Sequence, residues 1–98
     1  KGKIKPDSII DLHGYTLNNA KSMLQKHFKT AFEKNIRTIL IITGKGHNNL
    51  GVLKKEIPIL LNNNVFKKYL ISFDIAPKSF GGEGALLVRI RNKYKELN

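Results

Sequence analysis

Ninety-eight residues suffice for one compact domain around one core and not for two, and a hydrophobic share of 41% is that of a globular chain rather than a disordered one. Eighteen Lys and Arg against seven Asp and Glu give a formal charge of +11; a field of that sign concentrates polyanions, so nucleic acid is the first partner expected and an anionic membrane surface the second. The absence of cysteine excludes disulfides and zinc–thiolate sites, no apolar run reaches membrane-spanning length, and the cytoplasm is the expected location.

Residues 1–6 are basic and unpatterned and read as a lead-in or linker end; residues 7–95 form the expected domain. The chain opens on Lys1 rather than a methionine, and further residues of a larger protein are expected before it. Ile9-Ile10-Asp11-Leu12 is short and apolar and ends at His13-Gly14, which predicts a first strand. Thr16 is placed as a helix N-cap. Leu17, Ala20, Leu24, Phe28 and Ala31 follow at helical spacing, opposite a polar face of Asn18, Lys21, Ser22, Gln25, Lys29 and Glu33.

Thr38 to Ile42 is a continuous run of β-branched residues and leucine that predicts a central strand buried on both faces. A second helix is expected to start between Asn49 and Leu53 and to end by Asn62. Pro58 inside it costs a hydrogen bond unless the helix starts late or kinks, and Asn62-Asn63-Asn64 is a stop signal. Tyr69 to Ala76 alternates, with Tyr69, Ile71, Phe73 and Ile75 on one face and Leu70, Ser72, Asp74 and Ala76 on the other. A glycine-rich loop over Pro77 to Gly84 leads into a fourth strand, Ala85 to Arg91, with Leu86, Val88 and Ile90 on one face and Leu87, Arg89 and Arg91 on the other. The short connection makes the last two strands antiparallel neighbours. The order is βαβαββ: an α/β two-layer sandwich with a mixed four-stranded sheet and two helices.

Two loops at strand ends carry chemistry-bearing residues, and ligands of open α/β sheets sit outside the carboxyl ends of strands. Asp11 and His13, two apart, leave the same face if the strand runs through them. A carboxylate beside an imidazole fixes its tautomer and strengthens it as a base; the structural alternative is an Asp capping the turn at Gly14 beside a surface histidine. Thr43-Gly44-Lys45-Gly46-His47 is neither a Walker loop nor a dinucleotide fingerprint, since Asn49 stands where that fingerprint needs glycine. A Gly-x-Gly turn before a helix can still aim main-chain N–H groups at a phosphate, with Lys45 adding charge and His47 a proton donor; the alternative is a plain turn. Arg89 and Arg91, two apart on one face, either grip successive phosphates or decorate an exposed sheet. His27 reads as a helix-border residue. Carboxylates are few and scattered, so no metal site is expected.

The segments Ile10-Asp11-Leu12-His13-Gly14, Ile42-Thr43-Gly44-Lys45-Gly46, Gly51-Val52-Leu53 and Gly81-Gly82-Glu83-Gly84-Ala85, followed by Val88 and Arg91, together resemble the Smr (small MutS-related) domain, in order and over roughly residues 6 to 93. The resemblance implies a βαβαββ sandwich similar to the C-terminal domain of bacterial translation initiation factor three. It also implies nuclease activity, since known members nick DNA or cleave messenger RNA at stalled or collided ribosomes. It places Asp11 and His13 in the catalytic motif and Gly44, Lys45 and Gly46 in a second loop at the substrate. The family often has His where this chain has Thr43, which leaves open whether His47 takes over a proton-transfer role.

The expectation is therefore an endonuclease acting on phosphodiesters, with RNA favoured over DNA. Asp11, His13 and His47 are the candidate catalytic residues. Gly14, Gly44, Lys45, Gly46, Lys78, Gly82, Arg89 and Arg91 are the candidate substrate contacts, the glycine-loop amides and Lys45 holding the scissile phosphate and Lys78, Arg89 and Arg91 tracking the backbone. On RNA the 2′-OH can be the nucleophile and no cofactor is required; on DNA water must attack, with a divalent metal its usual activator. The expected partners are nucleic acid and the ribosome. The alternative is a non-catalytic nucleic-acid- or ribosome-binding module. A peripheral membrane domain ranks lower, because no basic amphipathic helix carries an aromatic apolar face.

Overall fold

The structure, a computed structural model, describes residues 5–45 and 51–94. Strand β1 (Ser8–Asp11) leads into helix α1 (Leu17–Glu33), then β2 (Thr38–Ile42), α2 (Val52–Leu61), a one-turn α3 (Asn64–Lys67) and β3 (Leu70–Ile75). Two 3₁₀ turns, Lys78–Phe80 and Gly82–Gly84, precede β4 (Ala85–Ile90). The sheet order is β1-β2-β4-β3. β1 and β2 are parallel, and β4 is antiparallel to both of its neighbours. The expected mixed four-stranded sheet is present, and α3 is an addition to the two expected helices.

Each helix is built from the signals in its own sequence. Thr16 Oγ1 accepts from the Asn19 N–H at 3.2 Å and caps α1. Asn35, at φ 56°, ends it by turning the chain so that the Ile36 N–H reaches Ala31 O at 2.8 Å. Ala20, Leu24, Phe28 and Ala31 bury the predicted stripe. α2 runs through Pro58 and buries Leu53, Ile57 and Leu61. The asparagine run is both a stop and a restart: Asn62 ends α2, while Asn63 Oδ1 accepts from the Val65 N–H at 3.1 Å and opens α3. That turn drives Phe66 into the core, edge-on to Phe28 with ring centroids 5.6 Å apart.

All three helices cover one face of the sheet. Their apolar residues pack with Ile10, Ile39, Ile41, Leu86, Val88 and Ile90. On the opposite face a smaller cluster of Leu40, Ala76 and Ala85, with Phe80 against it, covers only part of the surface, and Ile9 remains 58% exposed. Strict alternation along β3 does not hold. A register shift between Leu70 and Ser72 inserts one extra residue. Leu70 and Phe73 consequently both pack on the helix-side core, where unbroken alternation would put them on opposite faces.

Three hydrogen bonds tie the starts of β1 and β2 to each other and to the end of β4. Asp7 Oδ2 accepts from the Arg37 and Thr38 N–H groups at 3.3 and 3.1 Å, and the Arg37 Nε–H donates to Ile90 O at 3.0 Å. His27 is half-buried, with Nε2 2.7 Å from Ser8 Oγ, and burial lowers its pKa from the ordinary imidazole value. This is a structural histidine tying α1 to β1. Among the described residues, no helix is long and apolar enough to cross a membrane.

Candidate functional site

The register sets Asp11 opposite Ile42 and Ile42 opposite Ala85. The loops leaving β1 and β2 and the loop entering β4 therefore meet at one end of the sheet. The Leu12 N–H donates to Ile42 O at 2.7 Å and carries the parallel ladder one residue past β1. The strand does not run through His13: β1 ends at Asp11, and the chain turns so that Asp11 caps the turn and His13 folds back onto it. Its main-chain N–H donates to Asp11 Oδ1 at 3.1 Å, and its ring Nδ1 lies 2.7 Å from the same oxygen. The side-chain bond from His13 is the main cause holding the Asp11 pKa below its usual value. An ionised carboxylate only accepts, so Nδ1 is the ring nitrogen that donates, and in the neutral tautomer this selects, Nε2 is the acceptor. Both side chains are open to solvent, His13 72% and Asp11 48% exposed. Gly14, at φ 82°, lets the chain leave the site, and the Tyr15 N–H closes the turn on Leu12 O at 2.9 Å.

The second loop is fastened to the third by one acceptor. Gly84 O takes the Thr43 and Gly44 N–H groups at 2.9 and 3.0 Å. The Thr43 hydroxyl, on a residue only 4% exposed, lies 3.3 Å from Gly84 O and 3.1 Å from Gly44 O. This buried threonine fastens the loop, a structural role distinct from the proton transfer considered for a histidine at that position. Gly44 sits at φ 80°, and a Cβ there would stand 3.4 Å from His13 Cβ. The close approach brings the Lys45 turn against the Asp11–His13 turn. Gly46 and His47 lie outside the described residues.

Beyond Gly44 opens a groove of about 600 Å³, lined by Lys45, Ile75, Ala76, Lys78, Gly81, Gly82 and Glu83. Lys45, Lys78 and Gly82 are thus brought together. Glu83 is held by Lys54 of α2, Nζ to Oε1 at 3.1 Å. Arg89 is placed elsewhere. It pairs in register with Thr38 and Ser72, four residues along β4 from Ala85, which is about 13 Å of strand. Arg91 lies past the end of β4, its N–H on Tyr69 O at 2.8 Å. Both arginines are at the opposite end of the sheet from His13. Among the described residues, no three His, Asp or Glu side chains group as metal ligands.

The family profile of the Smr domain matches residues 10–91. The ribosome rescue factor SmrB of Tolumonas auensis is 36% identical over 90 residues, which is 92% of this chain and 48% of that protein. SmrB of Shewanella oneidensis is 33% identical with the same coverage. The chain spans about half the length of these curated relatives. The crystal structure of the Smr domain of Thermus thermophilus MutS2 superposes with a TM-score of 0.75 at 28% identity, covering 86% of this chain and 98% of that one. YdaL, a stand-alone small MutS-related protein from Escherichia coli, shares the fold with a TM-score of 0.73 at 20% identity, covering 86% and 64%. With its profile match spanning nearly the whole sheet and all three helices, the chain belongs to the Smr domain family.

Proposed function

We propose that this domain engages RNA at the ribosome and cleaves its phosphodiester backbone with the Asp11–His13 pair. Engagement is supported by the +11 charge and by similarity to relatives named ribosome rescue factors. Cleavage rests on one observation, the 2.7 Å contact of His13 Nδ1 with Asp11, which in the neutral ring turns Nε2 outward as the available base at the loop end of the sheet, with Lys45 in the adjoining turn. On RNA, Nε2 takes the proton of a 2′-OH. The 2′-oxygen then attacks the neighbouring phosphorus while the bond to the 5′-oxygen breaks, giving a cyclic phosphate and a 5′-hydroxyl end. Lys45 offsets the charge that gathers on the non-bridging oxygens. The departing 5′-oxygen needs a proton, the role the sequence suggests for His47.

A second reading, a ribosome- or RNA-binding module without catalysis, is favoured by the exposure of the pair, since buried, water-excluding sites make acid–base groups most effective. Single-turnover cleavage and equilibrium binding measured on the same RNA, with chelator present, separate the two. His13→Ala is expected to lose at least about 100-fold in cleavage and to keep binding within about threefold. Tight binding by the unaltered protein with no product would establish the module instead. No binding at all would end both readings.

A further inference from the structure

The groove beyond the Gly44–Lys45 turn has a chemistry that phosphate binding does not explain. Lys45 and Lys78 suit a phosphate, but Glu83 repels one. Ile75 and Ala76 add an apolar wall, and Ile75 is 60% exposed, so a flat apolar body laid on it would remove that surface from water. A volume of about 600 Å³ lies within the range of small-ligand sites and admits one nucleotide. Cations for a phosphate, an apolar wall for a ring and a carboxylate at its edge are the components of a base-reading site.

Glu83 is restrained by its bond to Lys54, 3.1 Å from Nζ to Oε1, and a carboxylate with one lysine partner keeps lone pairs on both oxygens. Only guanine presents two adjacent N–H donors, at N1 and N2, that match two carboxylate oxygens. Adenine and cytosine offer an amino group beside a ring acceptor, which repels the second oxygen. Uracil offers one N–H between two carbonyls. We propose that this groove receives the base next to the scissile phosphate and that Glu83 selects guanine, an assignment that rests on the RNA reading above.

The test uses 2′-O-methyl oligonucleotides, which lack the attacking hydroxyl and stay intact. A uridine strand is compared with otherwise identical strands carrying a single G, A or C, by fluorescence anisotropy at fixed salt. The G strand is expected to bind about fivefold or more tightly than the uridine strand. In Glu83→Gln that ratio should fall within about twofold, with uridine-strand affinity equal to or tighter than that of the unaltered protein, because a negative charge has left the groove. Equal affinity for all four strands overturns the guanine assignment and leaves RNA engagement standing. A guanine preference that survives Glu83→Gln overturns the role of Glu83. Failure to bind any strand overturns both proposals.

Discussion

Asp11 accepts twice from one residue, through the His13 main-chain N–H and the ring Nδ1–H. The two bonds close a small ring that orients the imidazole without help from any other side chain in the described structure. Asn in place of Asp keeps the size but both donates and accepts, so it can hold either ring tautomer. Asp11→Asn is therefore expected to slow RNA cleavage by about 100-fold in single turnover, while Tm stays within about 3 °C because the pair is largely exposed. An unchanged rate would remove Asp11 from the chemistry. The lowered Asp11 pKa makes its small stabilising contribution full above the ordinary carboxylate value and lost as pH falls from there through the lowered folded-state value. This pair is legible in the sequence because a separation of two residues is a local signal, although a turn at His13, and not a strand running through it, makes the contact. The role of Thr43 is not, because its hydroxyl and Gly84 O are 41 residues apart and meet only through the β2–β4 pairing. Nor does residue spacing tell that Arg89 and Arg91 sit at the other end of the sheet from His13, since that follows from the direction of β4.

At the scale of elements, α2 carries an internal contradiction. Pro58 stands inside Val52–Leu61, where its missing N–H leaves the Lys54 carbonyl without its helical donor. The helix persists because Leu53, Ile57 and Leu61 are all buried in the shared core, and burial outweighs one lost bond. Pro58→Ala restores the donor at the expense of a freer unfolded chain, and the balance predicts a gain of about 1 kcal/mol, seen as a Tm about 4–8 °C higher. A lower Tm would mean that the proline ring contributes more by packing than it costs in hydrogen bonding. Hydrophobic period suffices to read α1 and β4, whose apolar residues fall at regular intervals, and an unbroken apolar run suffices for β2. It fails at β3, where Leu70 and Phe73 must both enter one core from an odd spacing and a bulge reconciles them. It also passes over α3, because one turn is too short to show a period and its capping asparagine is indistinguishable from a stop.

For the molecule as a whole, the open sheet face links the two places where basic side chains were expected to meet a polyanion. Lys45 and Lys78 line the groove at one end, and Arg89 is exposed about 13 Å along β4 toward the other. Between them run Leu40, Ile42 and Leu87, with Ile9 on the adjacent edge strand. A single strand that crosses this face would release counterions at both ends, whereas one held only at the loops would release them at one. The salt dependence of binding distinguishes these paths, because each phosphate contact on single-stranded nucleic acid contributes about 0.7 to the slope of log K against log salt. Lys45→Ala combined with Lys78→Ala is expected to flatten that slope by about 1.4, and Arg89→Ala alone by about 0.7. A slope unchanged by Arg89→Ala would confine the strand to the loop end of the sheet. A slope unchanged by the lysine pair would mean that the +11 charge draws RNA to the surface without a track to hold it.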